Sequence, residues 1–114
     1  MSAITTHVLD LSIGRPASGV PVRLEVLQSD SGWVSLAEKA TDDDGRVRDL
    51  LDAGARLDAA TYRLTFLTGN YFQNQDKASF YPEVTVVFRV PEPGGHYHVP
   101  LLLSPFGYST YRGS

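Results

Sequence analysis

The side chains able to do chemistry are few, and they sit near the two ends of the chain and beside one turn. Cysteine is absent, so there is no thiol nucleophile, disulfide framework or thiolate metal site. Three histidines remain: His7, His96 and His98. On a strand His96 and His98 point the same way, because side-chain direction alternates with period two. A neutral imidazole is a good general base for water near pH 7. An arginine beside it stays charged, stabilises an oxyanion forming on an attacked carbonyl, and favours the neutral imidazole. Arg46, directly after an Asp-Gly turn, and Arg112, near the end of the sequence, are the arginines placed for this. Alone, each of these residues has a plainer reading, as a solvated charge or as a surface or satisfied core histidine.

Other chemistries fit less well or remain open. Three imidazoles around an open position describe a catalytic zinc site, so a zinc-dependent hydrolase using His7, His96 and His98 is one alternative. Asp42-Asp43-Asp44-Gly45 lacks the alternating ligands and later glutamate of an EF-hand. Ser104 and Ser114 have no Gly-x-Ser-x-Gly context. Gly94-Gly95 precedes a strand rather than a helix, so it is no phosphate loop. The segment from His96 to Ser114 is dense in hydrogen-bonding and titratable groups, unlike an ordinary terminus. Tyr108 and Tyr111 also suit cross-strand aromatic packing.

The elements that must hold these residues read as short strands. Ile4 to Leu11, Val20 to Gln28, Trp33 to Thr41, Thr61 to Thr68, Val84 to Val90, His96 to Leu103 and Gly107 to Arg112 are rich in β-branched and apolar residues. Val20, Val22, Leu24 and Val26 share one face, with Arg23 and Glu25 on the other. Gly14 to Gly19, Ser29 to Gly32 and Pro91 to Gly95 are turns. Asp42 to Gly45 is the clearest hairpin signal, with Arg46 to Asp49 as its returning strand. Leu50 to Ala60 reads mostly as loop, since Gly54 weakens its helical pattern. Gly69 to Lys77 is the best candidate for one short helix, with Thr68 or Asn70 as N-cap. About eight strands with regular turns give an all-β sandwich.

Size and charge narrow the class. The 114 residues suit one domain spanning 1–114. The formal charge of −3 and the scattered basic residues argue against nucleic acid and against a polybasic membrane patch. No secretory signal and no membrane span is apparent. The expected protein starts near Met1, is soluble and is cytoplasmic.

Several segments together resemble one family. Tyr111-Arg112-Gly113-Ser114 resembles the terminal tetrapeptide of 5-hydroxyisourate hydrolases, transthyretin-like proteins of purine catabolism. Ile4-Thr-Thr-His-Val-Leu-Asp10, followed by Gly14-Arg-Pro-Ala and Gly19-Val-Pro-Val, resembles that family's first motif. Asp44-Gly45-Arg46 resembles the central one, and His96 to Pro105 the lead-in to the last. The resemblance spans essentially the whole chain. It implies a transthyretin-like two-sheet sandwich with one short helix, assembled as a homotetramer (a dimer of dimers) with sites built from more than one subunit. It implies hydrolysis of 5-hydroxyisourate, with no cofactor and no metal.

Carried over residue by residue, it makes His7, Arg46, His98 and Ser114 catalytic, and His7, Arg46, Tyr111 and Arg112 substrate-binding. His98 or His7 would activate water while the other orients or donates a proton. Arg112, Ser114 and the terminal carboxylate would position the substrate or the histidines. A transthyretin-type small-ligand carrier on the same fold is the second alternative, and the terminal tetrapeptide, which the carrier lacks, argues against it.

Overall fold

The computed structural model describes residues 2–114; the expected start at residue 1 lies outside them. The described residues form two sheets. The first holds β1 (Ile4–Asp10), β2 (Arg15–Pro16), β5 (Arg46–Val47), β8 (Tyr97–Ser104) and β9 (Gly107–Thr110). Its order is β2-β1-β8-β9, and β5 also pairs with β1. The second is β4-β3-β6-β7, built from β3 (Pro21–Gln28), β4 (Gly32–Ala40), β6 (Ala60–Phe66) and β7 (Val84–Val90). One short helix, α1 (Thr68–Gln73), comes after β6.

Alternation decides which residues face inward. Val99, Leu101 and Leu103 of β8 are buried, as are Ile4 and Val8 of β1. They meet Val22 and Leu24 of β3 and Leu64 and Phe66 of β6 in one apolar cluster between the sheets. The opposite positions, His7 and Leu9 on β1 and His98 and Leu102 on β8, are left half-buried on the outer face of the first sheet. The apolar pattern therefore fixes the direction of the histidines as firmly as it fixes the core.

Four sequence expectations change. The Gly14 to Gly19 turn contains a two-residue strand, because Arg15 and Pro16 pair with Asp10 and Leu9. Proline fits there because β2 lies at a sheet edge. The Asp42 to Gly45 turn is tight, with Gly45 N–H donating to Asp42 O at 2.9 Å and Asp42 N–H to Arg46 O at 2.9 Å. The chain does not return along β4, however. Arg46 and Val47 pair with His7 and Thr6 of β1, in the other sheet. The turn is thus a crossing between sheets, which its local Asp-Gly signal cannot distinguish from a hairpin. The helix ends at Gln73, before Lys77, and Leu67 occupies its N-cap with no side-chain cap bond. Burial stands in for the cap: Tyr71 and Phe72 enter the core, and Tyr71 Oη donates to the buried Asp10 carboxylate at 2.7 Å. Finally, the last strand stops at Thr110, and beyond it Gly113 forms an isolated bridge with His98.

Gly45 is the tightest point of the crossing. It has φ +76°, and a Cβ there would run into the Val8 carbonyl oxygen. Gly14 has φ +65° with no atom within 4 Å of an added Cβ. Both alanine variants bear the left-handed cost of about 1–2 kcal/mol, but only Gly45→Ala adds a backbone collision, worth about 1–3 kcal/mol more. Urea unfolding is expected to show Gly45→Ala the less stable of the two by that margin. Equal losses would refute the close approach.

Candidate active site

The outer face of the first sheet gathers the chemical residues through strand register. In the parallel ladder of β1 with β8, Thr5 lies opposite His98 and His7 opposite Pro100. In the antiparallel pair of β1 with β5, His7 lies opposite Arg46. His98, Thr5, His7 and Arg46 thus succeed one another across three strands on one face. Asp42 pins the arginine's backbone: its Oδ1 accepts from Asp44 N–H at 2.9 Å and Arg46 N–H at 3.0 Å. The Arg46 amide holds the Asp42 carboxyl below the ordinary carboxylate value, helped by the Asp44 amide, Arg48 and the Arg46 charge against some burial.

Hydrogen bonds orient the rings. His7 Nε2 lies 2.8 Å from Asp44 O. A carbonyl only accepts, so this nitrogen carries the proton and neutral His7 keeps its lone pair on Nδ1. His98 Nδ1 lies 2.8 Å from Thr5 Oγ1, and His96 Nε2 lies 3.3 Å from the same hydroxyl. His96 and His98 do point the same way, as their spacing requires. His98 is also held by Gly113, whose N–H donates to His98 O at 2.8 Å. A Cβ on Gly113 would sit 2.5 Å from His98 Cδ2, so the ring occupies the space that glycine leaves.

Both imidazoles are biased toward the neutral form. Burial lowers the His7 pKa below 6.5, and the Arg46 charge lowers it further, against the Asp44 carbonyl, Asp42 and Asp44. Burial also lowers His98, reinforced by the charges of Arg46, His7 and His96, with the Thr5 backbone opposing. At neutral pH the face therefore presents uncharged rings next to a permanent cation. That pairing suits a base for water beside a stabiliser of negative charge.

The predicted residues divide between two hollows. One, of about 250 Å³, is lined by Thr5, Thr6, Arg46, Arg48, His96, His98 and Ser114. It brings Arg46, His98 and Ser114 together, with His7 beside it across the ladder from Arg46. A second, more apolar cleft of about 440 Å³ includes Tyr111 and Arg112 together with Val86, Phe88 and Tyr97. Arg112 stacks over the Tyr97 ring at 4.6 Å. His98 lines both hollows, so Tyr111 and Arg112 are neighbours of the site across that ring rather than members of the Arg46 hollow.

Three residues lining the Arg46 hollow lay outside the sequence expectations, Thr5, Thr6 and Arg48; the inward-facing Thr6 donates to Val99 O. Arg48 lies two residues after Arg46, at the strand period, and faces the acidic turn, 3.7 Å from Asp44 and 4.0 Å from Asp42. Thr5 precedes His7 at the same period. Alternation was the signal available for both. Among the described residues no group of three or more His, Cys, Asp or Glu side chains is arranged to hold a metal ion. His96 and His98 converge on the Thr5 hydroxyl while His7 turns to Asp44.

Residues 4–113 match the family model described as the HIUase/Transthyretin family. A 5-hydroxyisourate hydrolase from Salmonella typhimurium is 46% identical over 111 residues, covering 97% of this chain and 80% of that protein. The solved 5-hydroxyisourate hydrolase of Klebsiella pneumoniae is 37% identical at TM-score 0.83, covering 99% of this chain and 100% of its own. The solved transthyretin of Sparus aurata is 33% identical at TM-score 0.91, covering 99% of this chain and 97% of its own.

Ring-proton NMR titration is expected to place both His7 and His98 below 6.5. In Arg46→Ala both values rise, because a positive neighbour that disfavoured protonation is gone; values that stay put would refute the coupling. In Gly113→Ala the His98 ring resonances are expected to shift while most sheet amides do not, since the nearest atoms to the added methyl belong to the His98 side chain. Unmoved His98 signals would show that the ring does not fill that space.

Proposed function

The chain belongs to the HIUase/transthyretin family, and from that premise we propose that it hydrolyses 5-hydroxyisourate to 2-oxo-4-hydroxy-4-carboxy-5-ureidoimidazoline on the outer face of its first sheet. The observation that carries this reading is the sharing of one hollow by Arg46, His98 and Ser114, with His7 alongside. The identity to hydrolases supports it further.

The reaction opens a ring amide. A neutral imidazole, His98 or His7, takes a proton from water as its oxygen attacks the carbonyl carbon. The carbonyl oxygen becomes anionic, and the Arg46 guanidinium stabilises it. The carbon–nitrogen bond then breaks, and the ring nitrogen leaves with a proton returned from the imidazolium. The product keeps the attacked carbon as a carboxylate. Ser114 and Arg48 supply further polar contacts in the hollow, while Tyr111 and Arg112 bind from the adjoining cleft. No metal or cofactor is invoked, so exhaustive chelation is expected to leave turnover unchanged.

We further propose that one domain over 1–114 carries the activity, in the cytoplasm, as a dimer of dimers. Half-buried Leu9 and Leu102 extend the site-bearing face as an apolar strip, and Leu11 is 56% exposed just beyond it. A second pair of subunits on that face would cover the strip and wall the hollow. The cysteine-free sequence suits a reducing compartment. Light scattering of a tetramer supports the assembly, and a monomer would refute it.

The activity is tested with substrate made freshly by urate oxidase, monitoring its decay against the spontaneous rate. Wild type is expected to accelerate decay, and no acceleration would refute the reading in favour of a carrier. Arg46→Ala is expected to lower kcat by about 10²–10³, the loss usual for an oxyanion donor. Its unfolding midpoint is expected to change little, since Arg46 is only half-buried and has no ion pair among the described residues. Activity of wild type is expected to fall on acidification with an apparent pKa below 6.5, the histidines being active as neutral rings. Unchanged turnover in Arg46→Ala would remove Arg46 from the mechanism.

A further inference from the structure

Thr5 occupies an unusual position for a residue that neither titrates nor attacks. It is buried on the site face, and its one hydroxyl meets two imidazoles, 2.8 Å from His98 Nδ1 and 3.3 Å from His96 Nε2. A hydroxyl has one proton to donate and two lone pairs to accept with. It can donate to only one of the two rings, so the other must donate to it or lose the bond. The proton positions of His96 and His98 are therefore linked through Thr5.

We propose that Thr5 and His96 are positioning residues that set which ring nitrogen of His98 holds its proton, an inference that rests on the hydrolytic reading above. When His96 Nε2 carries its lone pair, Thr5 donates to His96 and accepts from His98 Nδ1–H. His98 then has its lone pair on Nε2 and is ready to take a proton there. When His96 Nε2 carries a proton, it donates to Thr5, and Thr5 donates to His98 Nδ1. Neutral His98 then holds its proton on Nε2, as a donor. One exposed histidine, through one buried hydroxyl, thus selects between the base and acid forms of the ring in the site.

The surroundings allow few other partners for this nitrogen. The described polar groups around His98 are Thr5 and His7 on β1, Arg46 on β5, His96 beside it, Arg48 and Ser114 in the hollow, and Arg89, Tyr111 and Arg112 in the cleft, and of these Thr5 is the one hydrogen-bonded to Nδ1. Arg46 only donates, and His7 is committed to Asp44 through Nε2. Gly113 packs on Cδ2 and offers no polar side chain. Thr5 is left as the side chain that addresses Nδ1.

The test uses Thr5→Val, which keeps shape and removes the hydroxyl, with Thr5→Ser as the conservative control. Nitrogen-15 NMR of His98 in substrate-free protein reads the tautomer directly, whether or not 5-hydroxyisourate proves to be the substrate. Wild type and Thr5→Ser are expected to share one dominant tautomer. Thr5→Val is expected to show a changed tautomer ratio, together with a fall in kcat of about tenfold to a hundredfold at nearly constant KM. His96→Ala, at an exposed position, is expected to shift the same ratio without unfolding the protein. A Thr5→Val protein with the wild-type nitrogen pattern, or with a changed pattern but wild-type kcat, overturns the proposal. An unmoved pattern in His96→Ala overturns the part assigned to His96. If Thr5→Val does not fold, Thr5→Ala and His96→Ala carry the same readout.

Discussion

The parallel pairing of β1 with β8 is the constraint on which the site depends. It runs in register from Ile4 opposite Tyr97 to Asp10 opposite Leu103, and its side chains meet across 93 positions of sequence at Thr5 and His98. Closing so long a loop costs entropy that grows only slowly with length, and the buried faces of the two strands offset it. The same register places Val8 and Leu101 in the core and His7, Thr5 and His98 outside. Because the period is two, a slip of one residue would turn His98 into the core and Val99 or Tyr97 toward the hollow. The core and the site are thus alternate positions of the same two strands.

A second constraint brings Arg46 to that face. The chain leaves the second sheet after β4, turns at Asp42–Gly45, and lays two residues against β1. Several short contacts fix this small strand: Val8 N–H donates to Gly45 O at 2.7 Å, and Asp42 holds the Arg46 amide at 3.0 Å. His7 closes the arrangement by donating to Asp44 O. The residue that orients His7, and the cation that adds to burial in lowering its pKa, therefore come from one turn and the short strand that follows it. Burial first, and the cation held beside them second, push both imidazoles further toward the neutral form than a histidine in water.

The sequence showed the parts that obey local rules. Strand cores, the loop over residues 50–60, the short helix and the common direction of His96 and His98 all arise from alternation and turn chemistry. It could not show which strands pair across a long separation. Asp42 to Gly45 has the chemistry of a hairpin, yet Arg46 and Val47 pair with β1, because the partner is chosen by the other sheet's free edge. Arg15–Pro16 looked like pure turn because two residues are too few to show a period. Thr68 and Asn70 looked like caps, but burial of Tyr71 and Phe72 carries the helix without one. In the site, His7, Arg46 and His98 stand out by residue type. Thr5 and Arg48 do not, since threonine and a strand arginine are ordinary surface residues until register places them beside a histidine or over an acidic turn.

Overlap of fold does not track chemistry in this family. The chain superposes more closely on a transthyretin, at TM-score 0.91, than on a 5-hydroxyisourate hydrolase, at 0.83, although its identity to the hydrolase is the higher, 37% against 33%. The alternation of β1 and β8 explains how this can be so. Inward residues determine how the sheets stack, and hence the superposition; outward residues lie in the hollow and can change without disturbing the stack. Function on this scaffold therefore has to be read from the outer positions alone. Those positions carry two imidazoles biased toward neutrality, the guanidinium of Arg46 opposite His7 across the ladder, and a threonine hydroxyl shared by two rings. A carrier gains nothing from keeping its imidazoles neutral beside a cation, whereas a hydrolase needs both a proton acceptor and a stabiliser of the charge that proton transfer creates.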